Sequence, residues 1–203
     1  MRAHGFTLIE MLVVITISAI LVAMAIPSFQ GTVRASRISG AANSFVAALD
    51  LGRSEAIRRA TVVTVCRSTN ADNVNANCSD AAFNGYAAND WASGWIAFAK
   101  APGNIVNTTF EAGDELIARQ AAFGGAAQDR VIIESTAANP QSRSYNSRGL
   151  TLGGGLLGMT LFFDHRDIQV AQRTERARCI ALNISGRVRV ARVDVQNNIC
   201  PAA

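Results

Sequence analysis

Residues 6–26 read FTLIEMLVVITISAILVAMAI, from Phe6 to Ile26, and this run decides the architecture. It has about the 20 residues that a membrane-spanning helix needs. Its only polar residues are Thr7, Glu10, Thr16 and Ser18, and the three hydroxyls can bond back to the helix backbone. In front stands a short leader, Met1 to Gly5, carrying Arg2 and His4. A positive leader before an apolar run predicts an anchor whose N-terminus stays inside while the rest of the chain is exported. A cleavable secretory signal would end in a small-residue site, and Ile26-Pro27-Ser28-Phe29-Gln30 makes a poor one. Glu10 does not fit a plain anchor. A bare carboxylate near the start of a membrane helix costs about 2.5–3.5 kcal/mol, so it requires a partner.

The segment Gly5-Phe6-Thr7-Leu8-Ile9-Glu10, with the apolar run behind it and Pro27 after it, resembles the type III signal of type IV prepilins and type II secretion pseudopilins. That resemblance implies cleavage after Gly5 by a membrane-embedded aspartyl prepilin peptidase, followed by N-methylation of Phe6. It also implies that Glu10 pairs with the N-terminal amine of a neighbouring subunit during assembly. The implied partners are other pilin or pseudopilin subunits, the peptidase, and inner-membrane lipid before assembly. The implied location is the bacterial inner membrane, single-pass with the N-terminus cytoplasmic, and then the pilus, periplasm and cell surface.

The rest of the chain fits an exported domain. The 203 residues suffice for one domain and a modest extension. They are 49% hydrophobic and 17% charged, which is not the composition of a disordered chain. After Pro27 the pattern becomes amphipathic: Ile38, Ala42, Phe45, Leu49, Gly52 and Ala56 recur on one helical face, with Arg34, Arg37, Asp50, Arg53 and Arg58 off it. Glu55 and Arg59 stand four apart in the favourable order, and Arg58 and Arg59 suit a helix C-terminus. The spacing predicts a helix from Phe6 to about Ala60, with residues 6–26 in lipid and 27–60 packed on a domain of residues 61–203.

From Thr61 the period changes. Thr61–Val65, Trp91–Phe98, Val131–Ile133, Met159–Phe163, Ile180–Ile184 and Arg187–Val195 read as strands. Asn70–Asp90, Pro102–Asp114, Phe123–Asp129 and Gly149–Gly158 read as loops. The fold class expected is α+β, a long N-terminal helix on a small antiparallel β domain. Trp91-x-x-Gly94-Trp95-Ile96-x-Phe98, Glu111-x-Gly113-Asp114-Glu115-Leu116-Ile117, Tyr145-Asn146-Ser147-x-Gly149 and Arg178-Cys179-Ile180-x-Leu182-x-x-x-Gly186-Arg187-x-Arg189 resemble the GspH/FimT branch of minor pilins and pseudopilins. The resemblance implies two antiparallel sheets behind the helix. The stretch from Cys66 to Asp90 is longer than that family leads one to expect, and its role is open.

Cys66, Cys78, Cys179 and Cys200 contain no C-x-x-C pair, which disfavours zinc. In an oxidising compartment disulfides persist, and of the three connectivities sequence proximity favours Cys66–Cys78 with Cys179–Cys200. No catalytic residue, metal or cofactor is expected. Gly153-Gly154-Gly155-Leu156-Leu157-Gly158 satisfies G-x-G-x-x-G but precedes a strand where a nucleotide site needs a helix. His165 near Asp164 and Asp167 has no nucleophile motif beside it. Asn183-Ile184-Ser185 fits a glycosylation sequon but reads as turn chemistry.

Seven arginines, Arg166, Arg173, Arg176, Arg178, Arg187, Arg189 and Arg192, fall within 27 residues that hold only two acids, Asp167 and Glu175. Beyond the Ser185-Gly186 turn, Arg187 and Arg189 alternate with Val188 and Val190. Alternation sets the two guanidinium groups on one face about 6–7 Å apart, with the valines facing the core. That spacing is near the separation of successive phosphates on a nucleic-acid strand, and arginine bonds phosphate bidentately. Arg192 falls on the valine parity, which calls for a bulge or an outward reach from an edge. Gly186-Arg187-Val188-Arg189 resembles the G-R-x-R motif by which FimT-type minor pilins bind DNA in natural transformation. The expected DNA-binding set is therefore Arg187, Arg189, Gly186, Arg192 and Arg178, acting on the phosphates of double-stranded DNA. Two alternatives stand beside it: a GspH-type pseudopilin of a type II secretion system, and a minor pilin that only primes pilus assembly. In either, the arginines could simply keep an exposed sheet edge soluble.

Overall fold

The computed structural model describes residues 6–103, 109–124, 131–135, 141–152, 160–165 and 177–192, with side chains for all of these except 25–28, 30 and 160–165. Helix α1 runs Leu8–Arg59 and is capped at its start by Thr7, whose Oγ1 accepts the Glu10 amide hydrogen at 3.3 Å. The chain divides into two compact units, residues 1–36 and 37–203. The boundary falls inside α1, so the second half of the helix belongs to the globular unit. In the first unit every described side chain from Phe6 to Met24 is exposed, whichever way it points. A helix apolar all round belongs in a membrane or inside another protein's packing. Among the described residues no helix stretch is long and apolar enough to cross a membrane; the apolar run of the sequence continues past its last described side chain, Met24, to Ile26.

In the second unit the helical face expected from spacing is the buried one. Ile38, Phe45, Leu49 and Ala56 are all at most 1% exposed. They pack against two antiparallel sheets. The strands are β1 (Val63–Arg67), β2 (Gly94–Ala99), β3 (Glu115–Ala121), β4 (Val131–Ser135), β5 (Ser142–Tyr145), β6 (Thr151–Leu152), β7 (Thr160–His165), β8 (Arg178–Leu182) and β9 (Val188–Arg192). One sheet has the order β3-β2-β1-β5-β6 and the other β4-β7-β8-β9. Phe45 meets Trp91 and Trp95 edge to face, with ring centroids 5.2 and 5.1 Å apart, the favoured aromatic arrangement.

The structure differs from the expected pattern at three points, the start of β2, the strands β3, β5 and β6, and Val190. Trp91–Ser93 is a 3-10 turn, and β2 starts only at Gly94. β3, β5 and β6 were not expected as strands; β6 falls inside the stretch read as the Gly149–Gly158 loop. β9 pairs with β8 without a bulge, and of the two readings of Arg192 the outward one fits, since it is exposed on an edge strand. Val190 is 52% exposed although it shares the parity of Val188. The reason is position: β9 is an edge strand, and the core reaches Val188 but stops short of Val190.

Asp90 ties the sheets together. Its Oδ1 accepts the amide hydrogens of Ala92, ahead of β2, and of Ile133 in β4, both at 2.9 Å. The long stretch after β1 lies over the outer face of the five-stranded sheet. The Cys66–Cys78 disulfide holds it, and Ala71 and Ala76 pack with Ile96 and Phe98. Buried Arg67 donates to the carbonyls of Asp90 and Ser79, at 2.8 and 2.9 Å, pinning the far end and the middle of that stretch.

Candidate nucleic-acid interface

The β8–β9 hairpin turns through Asn183-Ile184-Ser185-Gly186-Arg187. Asn183 organises the turn: its Oδ1 accepts the Arg187 amide hydrogen at 2.9 Å and the Ser185 hydroxyl at 2.7 Å, and its carbonyl accepts the Gly186 amide hydrogen at 2.9 Å. The side-chain oxygen of the glycosylation-sequon asparagine is thus engaged within the turn. Gly186 has φ +76°, and a Cβ there would lie 2.1 Å from the Gly149 carbonyl oxygen. Only glycine fits.

Arg187 follows this fixed turn and is exposed, as is Arg189 two residues on. Arg189 lies opposite Ala181, on the face that carries Cys179 and Ala191. Neither arginine makes an ion pair with any described residue. Arg178 and Arg192 are elsewhere. They oppose each other across β8 and β9 on the other face, and the half-buried Arg178 donates to the Ala177 carbonyl at 3.2 Å. Register therefore puts Arg189 on the face of the hairpin opposite to Arg178 and Arg192, while Arg187 stands just before β9, at the end of the turn. Arg166, Arg173 and Arg176 lie outside the described residues, as do Gly5, Cys200 and the Gly153–Gly158 run. Cys179 is disulfide-bonded. Among the described residues no cluster of histidine, cysteine and carboxylate side chains could hold a metal.

Two cationic residues near the hairpin escaped the sequence reading. Arg53 of α1 donates from Nε to the Gly149 carbonyl at 3.1 Å, and it also lines the space beside Gly186. Arg148 is exposed on the turn between β5 and β6. The signal was present as a repeated N-x-x-G, Asn146 to Gly149 and Asn183 to Gly186.

A long helix, its first stretch exposed and apolar and its second packed on two antiparallel sheets, is a pilin-like architecture. The chain belongs to the type II transport protein GspH family, whose sequence profile matches residues 41–186, and its residues 1–26 match the prokaryotic N-terminal methylation motif. Its fold is similar to that of the type IV minor pilin FimU of Pseudomonas aeruginosa strain PAO1. One crystal form gives 14% identity and a TM-score of 0.50 over 77% of this chain and 89% of FimU. A second gives 13% identity and 0.47 over 75% and 91%. No curated protein matches the sequence significantly. The family match stops at Gly186, so it is silent on Arg187 and Arg189.

Proposed function

We propose that this GspH-family subunit is a minor type IV pilin that binds duplex DNA non-specifically through Arg187 and Arg189 for natural transformation. In this reading the chain is cut after Gly5, methylated on Phe6, anchored in the inner membrane through residues 6–26, and assembled through Glu10. The observation that carries the DNA reading is the pair of arginines itself. Both are exposed, both lack an acidic partner among the described residues, the first closes a turn whose backbone is fixed by Asn183, and the second lies on β9 at the edge of its sheet. Phosphate contacts of this kind position a protein on DNA without reading its bases. The name of the matching family favours a second reading, a pseudopilin of type II secretion that binds no nucleic acid.

The test is a salt titration of duplex binding by the full-length chain in detergent. Non-specific affinity should be micromolar or weaker and fall steeply with salt. Each neutralised phosphate contributes about −0.9 to the log–log slope. Arg187→Gln with Arg189→Gln should therefore flatten the slope by about 1.8. Equal slopes for the two chains would remove these arginines from the mechanism. No binding by the wild type at low salt would favour the secretion pseudopilin.

A further inference from the structure

The turn between β5 and β6, Asn146 to Leu150, repeats three bonds of the β8–β9 turn. Asn146 Oδ1 accepts the Leu150 amide hydrogen at 3.0 Å, where Asn183 Oδ1 accepts that of Arg187 at 2.9 Å. The Asn146 carbonyl accepts the Gly149 amide hydrogen at 2.8 Å, where that of Asn183 accepts Gly186 at 2.9 Å. In both turns the asparagine amide closes the loop on the carbonyl of the fifth residue, at 2.9 and 3.1 Å. The two glycines share a left-handed backbone, φ +74° and +76°.

These twin turns come from different sheets yet touch. The Thr151 amide donates to the Ile184 carbonyl at 3.1 Å, and the Gly149 carbonyl occupies the space where a Gly186 Cβ would stand. Arg53 braces the junction from α1, bonded to Gly149 and lying within 3.0 Å of the same Cβ position. Arg148 precedes one glycine and Arg187 follows the other. With 3.8 Å between successive Cα atoms, that contact holds the Arg148 and Arg187 Cα atoms no more than about 14 Å apart. Each strand of B-DNA rises about 3.4 Å per phosphate, so both arginines can reach one stretch of backbone. Arg148 is exposed and makes no ion pair among the described residues.

We infer that the twin turns form one phosphate-binding platform, in which Arg148 contributes a third contact beside Arg187 and Arg189 and Arg53 acts as a positioning residue beneath it. This rests on the DNA reading of Arg187 and Arg189 and extends its site to the other sheet. The experiment adds Arg148→Gln to the salt titration of the full-length chain, with Arg119→Gln as a charge control. Arg119 is exposed on β3, the edge opposite β6 in the same sheet. Arg148→Gln should make the slope about 0.9 shallower, so that its affinity falls about 3.5-fold less than that of the wild type between about 50 and 200 mM salt. It should leave the melting temperature unchanged, and Arg119→Gln should leave the slope unchanged. If Arg148→Gln matches the wild type while the Arg187/Arg189 double variant flattens the slope, the platform is wrong and the hairpin site stands. If Arg119→Gln acts as strongly as Arg148→Gln, the effect is net charge and the platform is wrong. If the double variant matches the wild type, the hairpin site itself fails, and the platform with it.

Discussion

Gly186 and Gly40 are the same residue type under opposite constraints. At Gly186 the backbone is left-handed and a Cβ would collide with the Gly149 carbonyl oxygen. A non-glycine residue in that conformation costs about 1–2 kcal/mol before any collision is relieved. Gly186→Ala should therefore destabilise the chain by about 3 kcal/mol or more, among the larger effects of single substitutions. Gly40 sits within α1 with nothing within 4 Å of its missing Cβ. Alanine there should stabilise by about 0.5–1 kcal/mol through helix propensity. Denaturant midpoints of the full-length chain check the order Gly40→Ala, wild type, Gly186→Ala, and a Gly186→Ala chain as stable as the wild type would contradict the turn geometry. At this scale the sequence was readable wherever a residue acts on near neighbours. The Ser185-Gly186 turn and the Glu55–Arg59 pair, 2.6 Å apart, both follow from local spacing. Arg53 was not readable as a brace, because its partner carbonyl is 96 residues away.

Among the elements, α1 was legible because one buried face on a rigid 3.6-residue period leaves a long, regular trace. β5 was not. Ser142-Arg143-Ser144-Tyr145 is polar, yet it lies between β1 and β6, and its Ser144 hydroxyl is paired with that of Thr64 at 2.7 Å in the interior. Arg143 Nε and the Tyr145 hydroxyl are buried without a hydrogen-bond partner among the described residues, and the Ser144–Thr64 hydroxyl pair and the ladders to β1 and β6, rather than apolar alternation, hold that strand. Asp90 shows the same principle between the sheets. Burial pushes its carboxyl above the ordinary carboxylate range, against the opposing effect of the Ile133 and Ala92 amide hydrogens. Because the folded state holds this proton more tightly than the unfolded state, the resulting stabilisation is complete below about pH 3.9, the unfolded value, and is lost as pH rises through the folded value. Asp90→Asn keeps an acceptor and carries no charge, so it should remove that pH dependence with little loss at neutral pH. Asp90→Ala leaves two buried amides unpaired and should cost about 2 kcal/mol or more. Unfolding midpoints from about pH 3 to 8 separate the cases, and a wild-type pH profile retained in Asp90→Asn would contradict the role given to this carboxyl.

Across the whole molecule, what sequence could show and what it could not divide along chain distance. The leader, the apolar run and the helix-then-strands order are local, and they pointed to the pilin class. The basic stretch was visible as composition, but its division was not. Strand register puts Arg189 on one face and Arg178 opposite Arg192 on the other, and the meeting of two turns brings Arg148 near Arg187. On the proposed function a single copy would hold two or three phosphates and bind weakly, and several copies near one duplex would act multivalently. The most direct measurement is uptake of labelled duplex DNA by cells in which the Arg187→Gln/Arg189→Gln chain replaces the wild type, with surface fibres counted in the same cells. The account predicts normal fibre numbers with uptake sharply reduced. Undiminished uptake, or uptake that falls only in proportion to fibre number, would contradict it.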